Sequence, residues 1–238
     1  VPEKLEKYED FLKGENRCQN TIHKHMRAIR SYINLAIKDD YINKNSSPFP
    51  NYKLKAGKPK TKTFLSEEEL EKLRHKPMPS WSLELERDLY VFCCYTGIAD
   101  KDLRALTEDM LFKHNEDYWL ISSRGKTDVN YRVMLFPEAL EIIEKYKGER
   151  EGFLFPSRSN QERNRKLKVV AGIAEISKIL TTHSARHTFA VLMINNGVDM
   201  FTLSKLLGHS SVRTTEEYVD TLPTYLKEKM VEAYQKMR

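Results

Sequence analysis

Cysteine is scarce in this chain: three among 238 residues. Two of them, Cys93 and Cys94, sit inside the apolar run LYVFCCY, where a thiol behaves as a small hydrophobe. An odd trio rules out a disulfide-stapled scaffold and points to a reducing, cytoplasmic setting. No stretch approaches the roughly 20 apolar residues that cross a bilayer, and no basic n-region followed by an apolar h-region opens the chain. Neither a membrane span nor a secretory signal is therefore expected. No internal repeat is visible. The chain opens at Val1 rather than Met, which suggests a fragment lacking an N-terminal portion.

What is present fits one to two globular domains, with 40% hydrophobic residues for a core. The formal net charge is +6, unevenly spread: residues 1–62 carry 14 Lys and Arg against 7 Asp and Glu, and the remainder 26 against 27. A basic N-terminal segment attracts polyanions through counterion release, so nucleic acid is a better partner than an acidic small molecule, the alternative being a solvated surface.

Residues 3–13 and 20–38 read as helices. In the second, Ile22, Met26, Ile29, Ile33 and Ile37 recur at helical spacing, Asn20 is available as the cap, and Lys24, Arg27 and Arg30 offer cations. NKNSSPFPNYKLKAGKPKTK lacks periodicity and marks a connecting segment over residues 43–62, to which Lys58, Lys60 and Lys62 add charge. Order resumes at FLSEEEL, where Ser66 and Glu69 form a capping-box pattern and Phe64 precedes the cap as an apolar staple residue. A mostly buried helix ends at Gly97, and KDLRALT makes a short one. DMLFKHN, DYWLISS and YRVMLF read as strands, with RGKTDVN as the hairpin turn between the last two. Helices follow in EALEIIEKY, QERNRKLKVVAGIAE, HSARHTFAVLMINNG, DMFTLSKLLG and VRTTEEYV. The tail carries Leu222, Leu226, Met230, Ala233 and Met237 on one stripe, an amphipathic helix.

The chemistry concentrates near the C-terminus. HSARH at 183–187 sets His183 and Arg186 one helical turn apart, GHSS follows at 208–211, and Tyr218 stands seven residues beyond that motif. A phenol with an ordinary pKa of about 10 needs a base or nearby cations to act as a nucleophile near neutral pH; otherwise such a tyrosine simply packs. Arg186 offers planar donors that match two phosphate oxygens. His183 and His209 can donate to the same phosphate or shuttle the tyrosine proton, and spacing leaves open which does which. His183, His187 and His209 could also be zinc ligands, but the metalloprotease pattern fails because Ser184 stands where Glu is required.

The order H-x-x-R, then G-H, then Y resembles the tyrosine recombinase (phage integrase) family, from FLSEEEL at 64 to EEYVD at 220. The resemblance implies a mainly α fold with a small antiparallel β-sheet (α+β): a partial helical core-binding DNA-binding domain over 1–50, a linker over 51–62, and a catalytic domain over 63–238 with a C-terminal tail helix at 223–237. It implies that Tyr218 attacks a scissile phosphate, forms a 3′-phosphotyrosyl linkage and frees a 5′ hydroxyl, with no ATP, metal or other cofactor. A lysine on a β-hairpin of this family protonates the departing oxygen, which makes Lys126 the general-acid candidate. The partners implied are double-stranded DNA, a homo-tetramer on that DNA through tail helices docked between protomers, and an accessory DNA-bending protein, in a bacterial cytoplasm on nucleoid DNA.

One departure stands out. Where the family shows T-G-hydrophobic-Arg, this chain has Thr96, Gly97, Ile98 and Ala99. Arg104 is five residues on, a rotation of about 140° on a helix, and is expected to point elsewhere. Arg124, two residues before Lys126 and on the same side of an extended strand, is the better substitute. The competing expectations are a DNA-binding protein of this fold that has lost catalysis and a type IB topoisomerase.

Overall fold

The computed structural model describes residues 2–57, 62–123, 129–219, 231, 234 and 235. The chain divides into two compact units, Val1–Thr61 and Lys62–Arg238.

The first unit pairs helix α1 (Pro2–Gly14) with helix α2 (Gln19–Lys38). Its core is Leu5, Leu12, Ile22, Met26, Phe49 and Tyr52, with Ile29 and Ile33 packed against it, so the isoleucine stripe faces inward. Helix α2 starts one residue earlier than its hydrophobic spacing suggests: Cys18, in extended conformation, is its N-cap. Asn20 lies inside the helix instead, so close to Gly57 that a Cβ at position 57 would fall 1.5 Å from its Oδ1. Residues 43–54 lack helices and strands of any length, but they are not a bare connector. Two short 3-10 turns, Lys44–Ser46 and Phe49–Asn51, swing Phe49 and Tyr52 into the core, and Tyr52 donates a hydrogen bond to the buried Glu9. That bond holds the Glu9 carboxyl below its usual range against the upward push of burial, with help from Lys13 and Lys55. Composition marks the segment as polar; its two aromatics decide where it lies.

The second unit is mainly helical with a small antiparallel sheet. Helix α3 (Glu67–His75) begins with the full capping box: Ser66 Oγ accepts from the Glu69 N–H, and Glu69 accepts from the Ser66 N–H. The residue in staple position before the cap is Leu65, fully buried, rather than Phe64, which stays half-buried with Lys178 over its ring at 5.4 Å. Helix α4 (Trp81–Thr96) is the hub, buried from Leu85 to Cys94 and packed by α3 and by three later helices, α6 (Pro137–Tyr146), α7 (Asn160–Ile173) and α8 (Thr182–Asn195). Burial pushes the Cys93 thiol up to about 12, so it stays a neutral packing group. Between α4 and α6 come the single-turn α5 (Asp100–Leu103) and strands β1 (Leu111–His114), β2 (Asp117–Ser123) and β3 (Asn130–Met134). The strands pair antiparallel in the order β1-β2-β3, with Leu111 opposite Leu120 and Leu120 opposite Val133. Leu120, Tyr131 and Val133 face the core, while Phe112 and Ile121 face solvent, the alternation that period two requires. Helices α9 (Met200–Leu206) and α10 (Arg213–Val219) complete the described elements. The hairpin turn at 124–128 and most of the amphipathic tail lie outside the described residues. Among the described residues, no helix is long and apolar enough to cross a membrane.

Candidate active site

The start of α8 is fixed from three sides. Thr181 caps it reciprocally with Ser184, at 3.1 Å and 2.9 Å. From α7, Asn164 Oδ1 accepts the Thr182 N–H at 2.9 Å, and Asn160 donates to the Thr182 hydroxyl at 2.8 Å. Ser184 Oγ, on the inner face, meets the Tyr90 hydroxyl of α4 at 3.0 Å. A helix end held this way orients the residues of its first two turns, among them His183, Arg186 and His187.

Arg186 is 3% exposed. Its guanidinium donates to the carbonyl oxygen of Gly97 at 2.7 Å and to that of Leu207. Both acceptors are C-caps, of α4 and of α9, where carbonyl groups carry the partial negative charge of the helix end. Glycine at 97 is required twice over: φ is +68°, and a Cβ would lie 2.5 Å from the Phe189 ring. The motif T-G-I thus presents a carbonyl that ties the end of α4 to Arg186.

Ala99, Lys101, Arg104, His183 and Arg186 line one cleft of about 400 Å³. The position of Arg104 overturns the helical-wheel expectation. One helical turn joins residues 99 and 104, with Ala99 as the extended N-cap of α5 and Arg104 as its C-cap, the Leu103 N–H bonding the Ala99 carbonyl at 2.9 Å; Arg104 reaches the cleft through the length and fold of its side chain. Arg104 folds back to bond Asp100, through Nε to the backbone oxygen and through Nη2 to the carboxylate at 3.2 Å. Asp100 also accepts from Arg163 Nη1 at 2.5 Å, and Arg163 pairs with Glu86 at 2.9 Å. The carboxylate that follows Ala99 therefore faces two guanidinium groups, which removes most of its repulsion toward an anion in the cleft.

Tyr218, on α10, is 3% exposed, and its hydroxyl lies 3.1 Å from Nδ1 of His187. The two rings stand 5.4 Å apart at 63°, and His187 in turn stands 4.3 Å from His183 at 69°. Lys62 Nζ sits 4.3 Å from the centre of the Tyr218 ring, a cation–π arrangement. His209 follows Gly208, and its Nδ1 bonds the hydroxyl of Thr215, also on α10, at 2.8 Å. The structure thus brings His183 and Arg186 into one cleft, links Tyr218 to His183 through His187, and links His209 to the helix that carries Tyr218.

Other expected residues fall elsewhere. Arg124, Lys126, Lys58 and Lys60 lie outside the described residues. Lys24 and Arg27 line a recess of α2 with His23 and Asn20, while Arg30 lines another and lies 5.8 Å from the Phe49 ring. Lys62, expected to be a DNA-contacting linker charge, belongs to the second unit and covers the tyrosine. The place of His187 is what sequence reasoning misses, since it suggests only a metal ligand there, although the i, i+4 spacing from His183 marks the residue. Among the described residues, no group of three or more His, Cys, Asp or Glu side chains is placed to hold a metal ion.

Residues 63–224 match the family model described as phage integrase family, and residues 2–54 match that described as phage integrase SAM-like domain. Among curated proteins, tyrosine recombinase XerD of Listeria monocytogenes serotype 4b (strain F2365) is 27% identical over 235 residues, covering 92% of this chain and 77% of the relative. Tyrosine recombinase XerC of Pediococcus pentosaceus is 26% identical, covering 96% and 79%. Among solved structures, the Tn1549 transposon integrase in complex with a circular intermediate DNA superposes with a TM-score of 0.75 at 20% identity, covering 91% of this chain and 80% of that one. XerH site-specific recombinase bound to palindromic difH substrate gives 0.72 at 21%, covering 95% and 71%.

Proposed function

The chain belongs to the phage integrase family, the tyrosine recombinases, and from that premise we propose how its residues divide the work of cutting and rejoining DNA. It is a site-specific tyrosine recombinase, an enzyme whose tyrosine cleaves and reseals strands; a binding protein without cleavage and a type IB topoisomerase are not favoured.

Tyr218 attacks the scissile phosphorus. Its oxygen forms the new phosphoester, the bond to the 5′ oxygen breaks, and Lys126 supplies the proton that the departing 5′ hydroxyl takes up. A 3′-phosphotyrosyl ester results, and resealing reverses the step with a 5′ hydroxyl from the partner strand as nucleophile. Bond energy stays in the ester, so the protein's task is placement and charge stabilisation. Arg186 and His183 hold the non-bridging oxygens from the cleft, and His209 joins them from the turn before α10. Arg124 stands in for the arginine that Ala99 replaces. Removing one such donor costs about 10²- to 10³-fold in rate, judged from single oxyanion donors.

The observation that carries this reading is the Tyr218 hydroxyl 3.1 Å from His187, the residue after Arg186 on the same helix. Double-stranded DNA is the substrate, gripped in part by Lys24, Arg27, Arg30, Lys58, Lys60 and Lys62. A tetramer on DNA, with the tail helix of 223–237 reaching a neighbour and a DNA-bending protein assisting, completes the proposal, and integration or excision of a mobile element is its biological setting. The solved relatives that support this include complexes of a transposon integrase and of lambda integrase with DNA.

A nicked suicide duplex tests the reading. The protein should become covalently joined to it, and Tyr218→Phe should abolish the adduct; an adduct that persists in this variant overturns the assignment. Arg124→Ala should cripple cleavage and spare DNA binding.

A further inference from the structure

We infer that His187 is a catalytic residue: it accepts the phenolic proton of Tyr218 as that oxygen bonds to phosphorus, and returns it when the strand is resealed. The inference rests on the reading of Tyr218 as nucleophile and adds the proton's destination.

Three observations carry it. First, Nδ1 of His187 lies 3.1 Å from the phenolic oxygen, within the range where a base abstracts a proton directly. His187 thus touches the reacting atom, while His183 opens onto the cleft with Arg186. Second, α8 sets His183 and His187 on one face, ring against ring at 4.3 Å, so the base and the phosphate-binding side chains follow one another along a single helix turn, with the Tyr218 hydroxyl brought to them from α10. Third, the helix is clamped by the Thr181–Ser184 capping box and by Asn160 and Asn164, so the base is held by the scaffold rather than by the substrate. The direction of transfer requires the neutral His187 with its hydrogen on Nε2, leaving Nδ1 as acceptor. In the forward step the Tyr218 O–H bond breaks, the proton moves to Nδ1 and the oxygen–phosphorus bond forms. Protonation of the leaving 5′ oxygen is a separate transfer at another site, so the two can be uncoupled.

The experiment is single-turnover cleavage of the suicide duplex by the full chain, with wild type, His187→Ala, His187→Gln and His187→Asn. Loss of the base should slow cleavage by about 10²- to 10⁴-fold while duplex affinity holds. His187→Asn places a carbonyl oxygen near the position of Nδ1 and can hold the phenol but not take its proton, so it should remain slow; full recovery in this variant overturns the inference in favour of positioning alone. Incorporating a ring-fluorinated tyrosine at 218, with a more acidic phenol, should shrink the deficit of the His187 variants, and an unchanged deficit overturns it. A bridging phosphorothiolate, whose leaving group needs no proton, should rescue Lys126→Ala and leave the His187 deficit in place; rescue of both overturns it. Should the Ala variant fold poorly, the Gln and Asn variants carry the same test. If wild type itself forms no adduct, or Tyr218→Phe still does, the nucleophile assignment has failed instead.

Discussion

The two units bury different things. The first closes α1 and α2 over six hydrophobic side chains among the described residues, so its cations stay outside and its interior serves as scaffold. Its one buried charge among the described residues is the Glu9 carboxylate, whereas the second unit buries charge of both signs: Glu86, Arg87, Asp88, Asp102, Arg163 and Arg186 are all less than a tenth exposed. Burying a guanidinium is costly unless it is well bonded, and the larger core supplies the bonds, to carboxylates for Arg163 and to helix-end carbonyls for Arg186. Where a protein only has to grip a polyanion, surface charge suffices. Where it has to stabilise a reacting phosphate, the charge is built into the packing.

The sharpest way to break this contrast is at Arg163. Arg163→Ala removes the hydrogen-bonded partner of the buried Glu86, leaving it only Arg158 at 3.5 Å, and should lower the unfolding free energy of the second unit by about 3–5 kcal/mol, read by denaturant unfolding. Arg163→Met with Glu86→Leu should recover much of that loss. If the single variant is as stable as wild type, the buried pair is not structural.

Next is Gly97. Gly97→Ala meets the Phe189 ring and a left-handed backbone, for a combined cost of about 2–4 kcal/mol. Because the Gly97 carbonyl is bonded by Arg186, cleavage in the suicide assay should fall more than stability alone explains.

In the first unit the corresponding change is smaller and depends on pH. Tyr52→Phe removes the hydrogen bond to Glu9 and should cost about 1–3 kcal/mol at neutral pH. The Glu9 carboxyl is held low in the folded state, so its contribution is complete above the unfolded carboxylate value of about 4.3 and is lost as pH falls through the lower folded value. Stability of wild type and Tyr52→Phe should therefore converge in acid, and a constant gap down to the lowest pH would count against the Glu9 assignment.

The smallest effect on stability should come from the exposed Lys24 and Arg27. Alanine at both should shift unfolding by no more than about 0.5 kcal/mol. The same change should flatten the salt dependence of duplex binding, its logarithmic slope falling by about one for each phosphate that the two side chains neutralise. Unchanged salt dependence would remove α2 from the DNA interface.

Much of the architecture can be read along the chain, because the signals are local. Ser66 with Glu69, Gly97 after CCYT, and the alternation of YRVM each act within a few residues. Misreadings arise where an interaction joins distant segments. Phe49 and Tyr52 lie in a Pro- and Ser-rich stretch but fill a core made by α1 and α2. Leu65 rather than Phe64 turns inward, into the core of the second unit, where its N–H donates to the Thr188 hydroxyl of α8, 123 residues away. Arg104 is misplaced because position on a helical turn does not fix where a long side chain ends, and this one folds back onto Asp100. His187 looks like a metal-ligand candidate because nothing near it in the chain announces the tyrosine 31 residues downstream.

By itself the sequence determined the class of chemistry, since a histidine, an arginine, a second histidine and a tyrosine in that order and spacing define which groups exist and how far apart they can be along the backbone. Tertiary structure alone decided which of them touch. The 3.1 Å between Tyr218 and His187, the seat of Arg186 on two helix ends, and the cleft shared by Ala99 and Arg104 all follow from how α4, α8, α9 and α10 pack, and packing is set by side chains far apart in the chain.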